Sequence, residues 1–194
     1  MKRRCLGVVA PVLILLAACG SDEVGGSSLG GAASNEYWFD SLPRMVATSD
    51  VVVLGTVVDI RKNIPQGIPP EEIYSLHADL DVQETLYGSG VPSQLTVQTL
   101  QFVAPEPEWR HVGNMVLAFM KLSTDPNFPG IYYPVNDQSV YLVTGTDLQT
   151  TSADDDPFSK GVAKMTLEEI RSKILKATEA IQAGELTPQT PFGG

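Results

Sequence analysis

Apolar positions follow three different spacings along the chain. Leu6 to Ala18 is an almost unbroken apolar run, preceded by Lys2, Arg3 and Arg4. From Val51 to Thr144 the apolar residues fall into short runs, several with period two, as in strands. Near the C-terminus a helical period takes over.

The β-branched run Val51 to Ile60 predicts a long first strand, with Gly55 a bulge or bend. Three prolines and a glycine between Ile64 and Pro70 predict a loop. Leu76, Ala78, Leu80, Val82 and Leu86 then share one face, opposite His77, Asp79, Asp81, Gln83 and Thr85. That alternation is expected of an antiparallel strand with one wet face. Gly88 to Pro92 reads as a turn and Gln94 to Val103 as a third strand, with Leu95 and Val97 on a common face. Met115 to Leu122 is apolar on both faces, as in a core strand. Ile131 to Val135 and Val140 to Thr144 suggest a hairpin around Asn136-Asp137-Gln138-Ser139.

Two helices flank these strands. Tyr37, Trp38, Leu42, Met45 and Val46 have roughly helical spacing, although Pro43 limits where that helix starts. Thr166 and Glu169 have capping-box spacing, Leu167, Ile170, Ile174, Leu175, Thr178 and Ile181 form a stripe, and Gly184 ends it. The expected fold is mainly β: a small five- to six-stranded antiparallel barrel with a short N-terminal helix and a C-terminal amphipathic helix. Closure would remove exposed sheet edges. The expected organisation is 1–18 as a cleaved signal peptide, 19–35 as anchor and tether, 36–183 as the folded domain and 184–194 as a loose tail.

The basic start and the apolar run have the order of a secretory signal, and the run is too short to span a hydrocarbon core, which takes about 20 helical residues. It ends in Leu16-Ala17-Ala18-Cys19, which resembles the lipobox of bacterial lipoproteins. The resemblance implies cleavage between Ala18 and Cys19 and a diacylglyceryl thioether on Cys19. Two acyl chains hold firmly, since each buried methylene contributes about 0.8 kcal/mol. The implied location is the extracytoplasmic face of a membrane. Gly20 to Ser34, GSDEVGGSSLGGAAS, is too poor in apolar residues to order itself and reads as a leash with a mean reach of roughly 20 Å. Cys5 leaves with the signal and Cys19 is taken by lipid, so no disulfide is expected.

The succession of strands at Ser49 to Val57, Ala78 to Tyr87, Leu95 to Thr99 and Gly113 to Phe119 resembles the OB-like barrel of netrin-type and metalloproteinase-inhibitor domains. In those inhibitors an N-terminal cysteine, tied by a disulfide, coordinates the protease zinc. The lipobox resemblance implies a lipid on Cys19, which the leash separates from the barrel, so the inhibitor resemblance implies a fold and no inhibitory residues.

Charge narrows the partners. The formal charge is −10, and loss of Lys2, Arg3 and Arg4 takes it to −13. Such a surface repels phosphate backbones, which argues against nucleic acid. No cofactor motif is present. Asp79 and Asp81 stand two apart on one strand face, about 7 Å apart, the only pair suggestive of hydrolytic acids. His77 and His111 have no neighbour at metal-ligand spacing and read as surface histidines. Asp154-Asp155-Asp156 could gather oxygens around calcium but lacks the pattern of a calcium loop, so an acidic connector is the simpler reading. Trp38, Trp109, Tyr132, Tyr133 and Tyr141 either stack a ligand or close the core. The function expected is a non-enzymatic envelope lipoprotein binding a protein or small ligand; the alternative is an envelope hydrolase using Asp79 and Asp81.

Overall fold

The computed structural model describes residues 37–67, 73–101, 106–151 and 156–191. Seven strands form one mixed sheet: β1 (Val51–Gln66), β2 (Ile73–Tyr87), β3 (Gln94–Leu100), β4 (Met115–Leu122), β5 (Ile131–Pro134), β6 (Val140–Thr144) and β7 (Asp147–Thr150). Three helices accompany it: α1 (Leu42–Thr48), α2 (Pro157–Ala163) and α3 (Leu167–Gln182). The fold is mainly β, as expected.

β1 pairs with β2 along one edge and with β4 along the other, so the order β1-β2-β3-β5-β4 closes into a ring of five strands. β6 and β7 extend the sheet from β4. Period two divides the strands between two cores. Val51, Val53, Leu76, Ala78, Leu80, Leu95, Val97, Val116, Ala118 and Met120 pack together with Trp109 inside the ring. The intervening Val52, Leu54, Leu117 and Phe119 pack with Tyr141 against Met45, Val46, Val162, Ile170 and Ile174 of the helices. β4 and the first stretch of β1, Val51–Leu54, are therefore apolar on both faces because each serves both cores.

The structure corrects several expectations. The pairing of β3 with β5 is parallel, so the sheet is not wholly antiparallel, and it has seven strands. β5 and β6 form no hairpin. β5 pairs with Met120–Leu122 and β6 with Met115–Ala118, successive stretches of the same β4 edge. The intervening Asn136, Gln138 and Ser139 are buried, because they bond inward. β1 continues to Gln66 through the proline-containing segment expected as loop. Beyond Thr56 it has left β4, and a strand with a free edge tolerates proline.

Gly55 does sit at a register irregularity, and a Cβ there would lie 2.9 Å from the Asp81 carbonyl oxygen. β7 leaves little mark in the sequence because only Leu148 of its four residues is buried. α2 is short, seven residues, and includes Gly161. The segment Tyr37–Ser41 is not helical, and α1 starts at Leu42 with Pro43 in its first turn, where a missing N–H leaves no helical bond unmade.

α3 begins with the expected capping box: the Thr166 hydroxyl accepts from the Glu169 N–H while the Glu169 carboxylate accepts from the Thr166 N–H. Its buried stripe is Leu167, Ile170, Ile174 and Ala177; Leu175 is 60% exposed, one position off the stripe. After Gly184 the chain, expected loose, is held where Leu186 packs on the helix-side core and the Gln189 N–H donates to the Thr48 hydroxyl.

Gly88 closes β2 with φ +95°, and a Cβ there would lie 2.6 Å from the Asp50 carbonyl oxygen. Gly88→Ala combines a left-handed backbone with that clash and is expected to lose about 1–3 kcal/mol, read as a lower urea midpoint with an unchanged slope.

Candidate functional site

Directly opposed residues in antiparallel strands share a face, so the register assembles polar rows across β1, β2 and β3. Arg61, His77 and Gln98 form one row; Asp59, Asp79 and Thr96 the next; Thr56, Asp81 and Gln94 the third. These rows lie on the side of β2 opposite Leu76, Ala78 and Leu80. Asp79 and Asp81 do share the expected face.

Asp59 and Asp79 stand opposite each other, an arrangement that is repulsive for like charges. Arg61 relieves it: its guanidinium lies 2.6 Å from Asp79 Oδ1 and 3.6 Å from Asp59 Oδ2. Asp79 Oδ1 also accepts from the Thr96 hydroxyl at 2.7 Å. Asp81 is exposed, and beside it the Gln83 amide donates to Thr56. Asp79 is thus held in an ion-paired arrangement, while Asp81 faces solvent.

His77 is not on the surface. It is 8% exposed, and its Nε2 lies 2.9 Å from Oε1 of Gln98, itself buried. A carbonyl oxygen only accepts, so Nε2 carries the ring proton and donates. Burial pushes the His77 pKa below its ordinary value, with Arg61 adding to the effect while the Gln98 bond and Asp79 oppose it. The ring is therefore held neutral. As pH falls below about 6.5 toward the lower folded value, the unfolded chain takes up a proton that the folded chain resists, so stability falls. His77→Gln is expected to flatten that dependence. Urea unfolding at about pH 7.5 and about pH 5 checks it, and equal slopes in the two proteins would contradict it.

His111 is exposed, as expected, with Nδ1 2.8 Å from the Glu108 carbonyl oxygen. Among the described residues no group of three or more His, Cys, Asp and Glu is placed to hold a metal ion. Asp154 and Asp155 lie outside the described residues, as do Ala18, Cys19 and the tether. Asp156 is the N-cap of α2, accepting from Phe158 N and Ser159 N, and is 4% exposed. Trp109, Tyr132 and Tyr141 are buried in the cores and Tyr133 is buried beside them, whereas Trp38 is 44% exposed.

Arg61, Thr96 and Gln98 were not singled out in the sequence, because each gains its meaning only from a cross-strand partner. The face as a whole offers donors, acceptors and both signs of charge. No protein-family model matches the chain, and no curated protein matches it.

Proposed function

We propose that the chain is a bacterial lipoprotein, anchored through Cys19 on the extracytoplasmic face of a membrane, whose domain binds a polar small ligand or an envelope protein and is not an enzyme. The anchor reading rests on Lys2-Arg3-Arg4, the Leu6 to Ala18 run and Leu16-Ala17-Ala18-Cys19. The binding reading rests on one observation above all, the polar face laid across β1, β2 and β3 over a ring filled with side chains. We further propose that this ring is an OB-like barrel, a five-stranded form in which the face of the second and third strands is the usual place for ligands. The acidic surface favours neutral or mixed-charge partners over nucleic acid.

Thermal unfolding of the mature chain against metals, sugars, peptides and cofactors tests the binding reading. A ligand at about 100 times its Kd adds about 2.7 kcal/mol to stability and raises the midpoint by several degrees. A shift that Arg61→Ala and Gln98→Ala abolish supports this face as the site; a shift untouched by both moves the site elsewhere. The hydrolase reading keeps Asp79 and Asp81 as its acids, since they share one face. Loss of a measured hydrolysis in Asp79→Ala and Asp81→Ala, with folding intact, would favour it.

A further inference from the structure

The segment that enters the domain is extended and rigidly held. Tyr37 is 8% exposed and Phe39 fully buried, their rings stacked at 6.1 Å, while Trp38 between them is 44% exposed. Three hydrogen bonds fix its backbone: Asn136 Nδ2 donates to the Tyr37 carbonyl at 2.8 Å, Gln189 Nε2 to the Trp38 carbonyl at 3.2 Å, and the Phe39 N–H to Gln138 Oε1 at 3.0 Å. An indole is thus presented outward by a backbone that cannot easily turn it in. The charge beside this segment is mixed: exposed Asp40 pairs with Arg44 at 3.4 Å, and Asp50 accepts from the Leu122 N–H at 2.8 Å. The Lys121 ammonium lies 5.7 Å from the Tyr37 ring centre, and the next residue, Leu122, is 42% exposed.

What covers Trp38 follows from where the chain outside the described fold ends. That chain joins at Tyr37, next to Trp38, so the end of the domain tied to the anchor is the end that presents the indole. Tryptophan favours the layer between headgroups and acyl chains, where its ring is apolar and its N–H remains wet. A charge of −13 disfavours broad contact with anionic lipid, which confines the contact to a small apolar one at the leash root.

We propose that Trp38 seats in the interface of the membrane bearing the anchor, so that the domain stands docked at the root of its leash. This rests on the lipoprotein reading, which places a bilayer within the leash's reach.

Cys19 is the only cysteine of the mature chain, which separates the two ideas experimentally. Chain Cys19–Gly194 contains every residue that builds the described fold. It can be coupled through its thiol to phosphatidylcholine vesicles carrying a thiol-reactive lipid, whatever the cell does to Cys19. Subtracting the spectrum of Trp38→Phe from that of the parent removes the buried Trp109. Docking is expected to shift the Trp38 emission to the blue on coupling, protect it from acrylamide, and make it quenchable by brominated acyl chains. Red, acrylamide-quenched emission on the coupled vesicles overturns the proposal. So does shielding already present without vesicles: if independent of concentration it assigns the cover to the leash, and if concentration-dependent to a second copy. Failure of cells to lipidate Cys19 would appear separately, as a free thiol in the protein they make.

Discussion

Phe119→Ala is expected to lose about 3–5 kcal/mol, out of a total of about 5–15 kcal/mol for a domain of this kind. Phe119 is fully buried in the middle of β4, on the face toward the helices, with its ring edge-on to Tyr141 at 6.3 Å. β4 holds β1 on one edge and β5 and β6 on the other. A cavity at this point is bounded by strands already fixed by pairing, which leaves little freedom to collapse around it. Denaturant unfolding should show the loss as a lower midpoint. A loss below about 1 kcal/mol would mean that the helix-side core repacks freely and that the two-core description is wrong.

Asp156→Ala is expected to lose about 2–4 kcal/mol through a different route, the stranding of buried donors as well as loss of a helix cap. The Asp156 carboxylate accepts from Gln138 Nε2 at 2.8 Å, Ser159 N at 2.6 Å and Phe158 N at 3.3 Å. Gln138 in turn receives the Phe39 N–H, and Asn136 donates to both Gln138 and the Tyr37 carbonyl. One buried carboxylate therefore anchors α2, the loop between β5 and β6, and the segment that carries Trp38. Asp156→Asn keeps one acceptor oxygen and should lose less. Hydrogen exchange at Phe39 should rise in Asp156→Ala more than exchange in α3; uniform change across the molecule would argue against a local network.

The same carboxylate links stability to pH. Burial alone would raise the Asp156 pKa, but the bonds from Ser159, Gln138 and Phe158 outweigh it and hold the group below its ordinary range. A depressed carboxylate contributes stability that is present above the unfolded value, about 3.9, and disappears as pH falls through the folded value. Acid unfolding below about pH 4 should therefore be less steep in Asp156→Asn than in the parent.

Features that depend on neighbours in sequence were legible without the structure. The Thr166 and Glu169 capping box, the bounds of β4 and β6, and the irregularity at Gly55 all follow from residues within a few positions of one another. What stayed hidden depends on distant partners. Asn136 reads as a turn residue because its bond to Tyr37 crosses 99 positions, while an Asn-Asp pair between two strands has a ready local use in a turn. His77 looked wet because its strand alternates, yet its cross-strand partner Gln98 lets an imidazole be buried with its donor satisfied. The parallel meeting of β3 and β5 left no local mark either, since its register rests on two residue pairs across a long connection. The polar face suffered the same way: Asp79 and Asp81 were visible as a pair, but Arg61 and Thr96, which decide what Asp79 does, became its neighbours only once register was set.

The most direct test of the account is the intact mass of the full-length protein expressed in bacteria and extracted from their membranes. The proposed anchor predicts a chain that begins at Cys19, lacks residues 1–18 and carries a diacylglyceryl group, and it predicts that Cys19→Ala abolishes this species. An unmodified chain retaining Met1, or one cleaved elsewhere with Cys19 a free thiol, would contradict it.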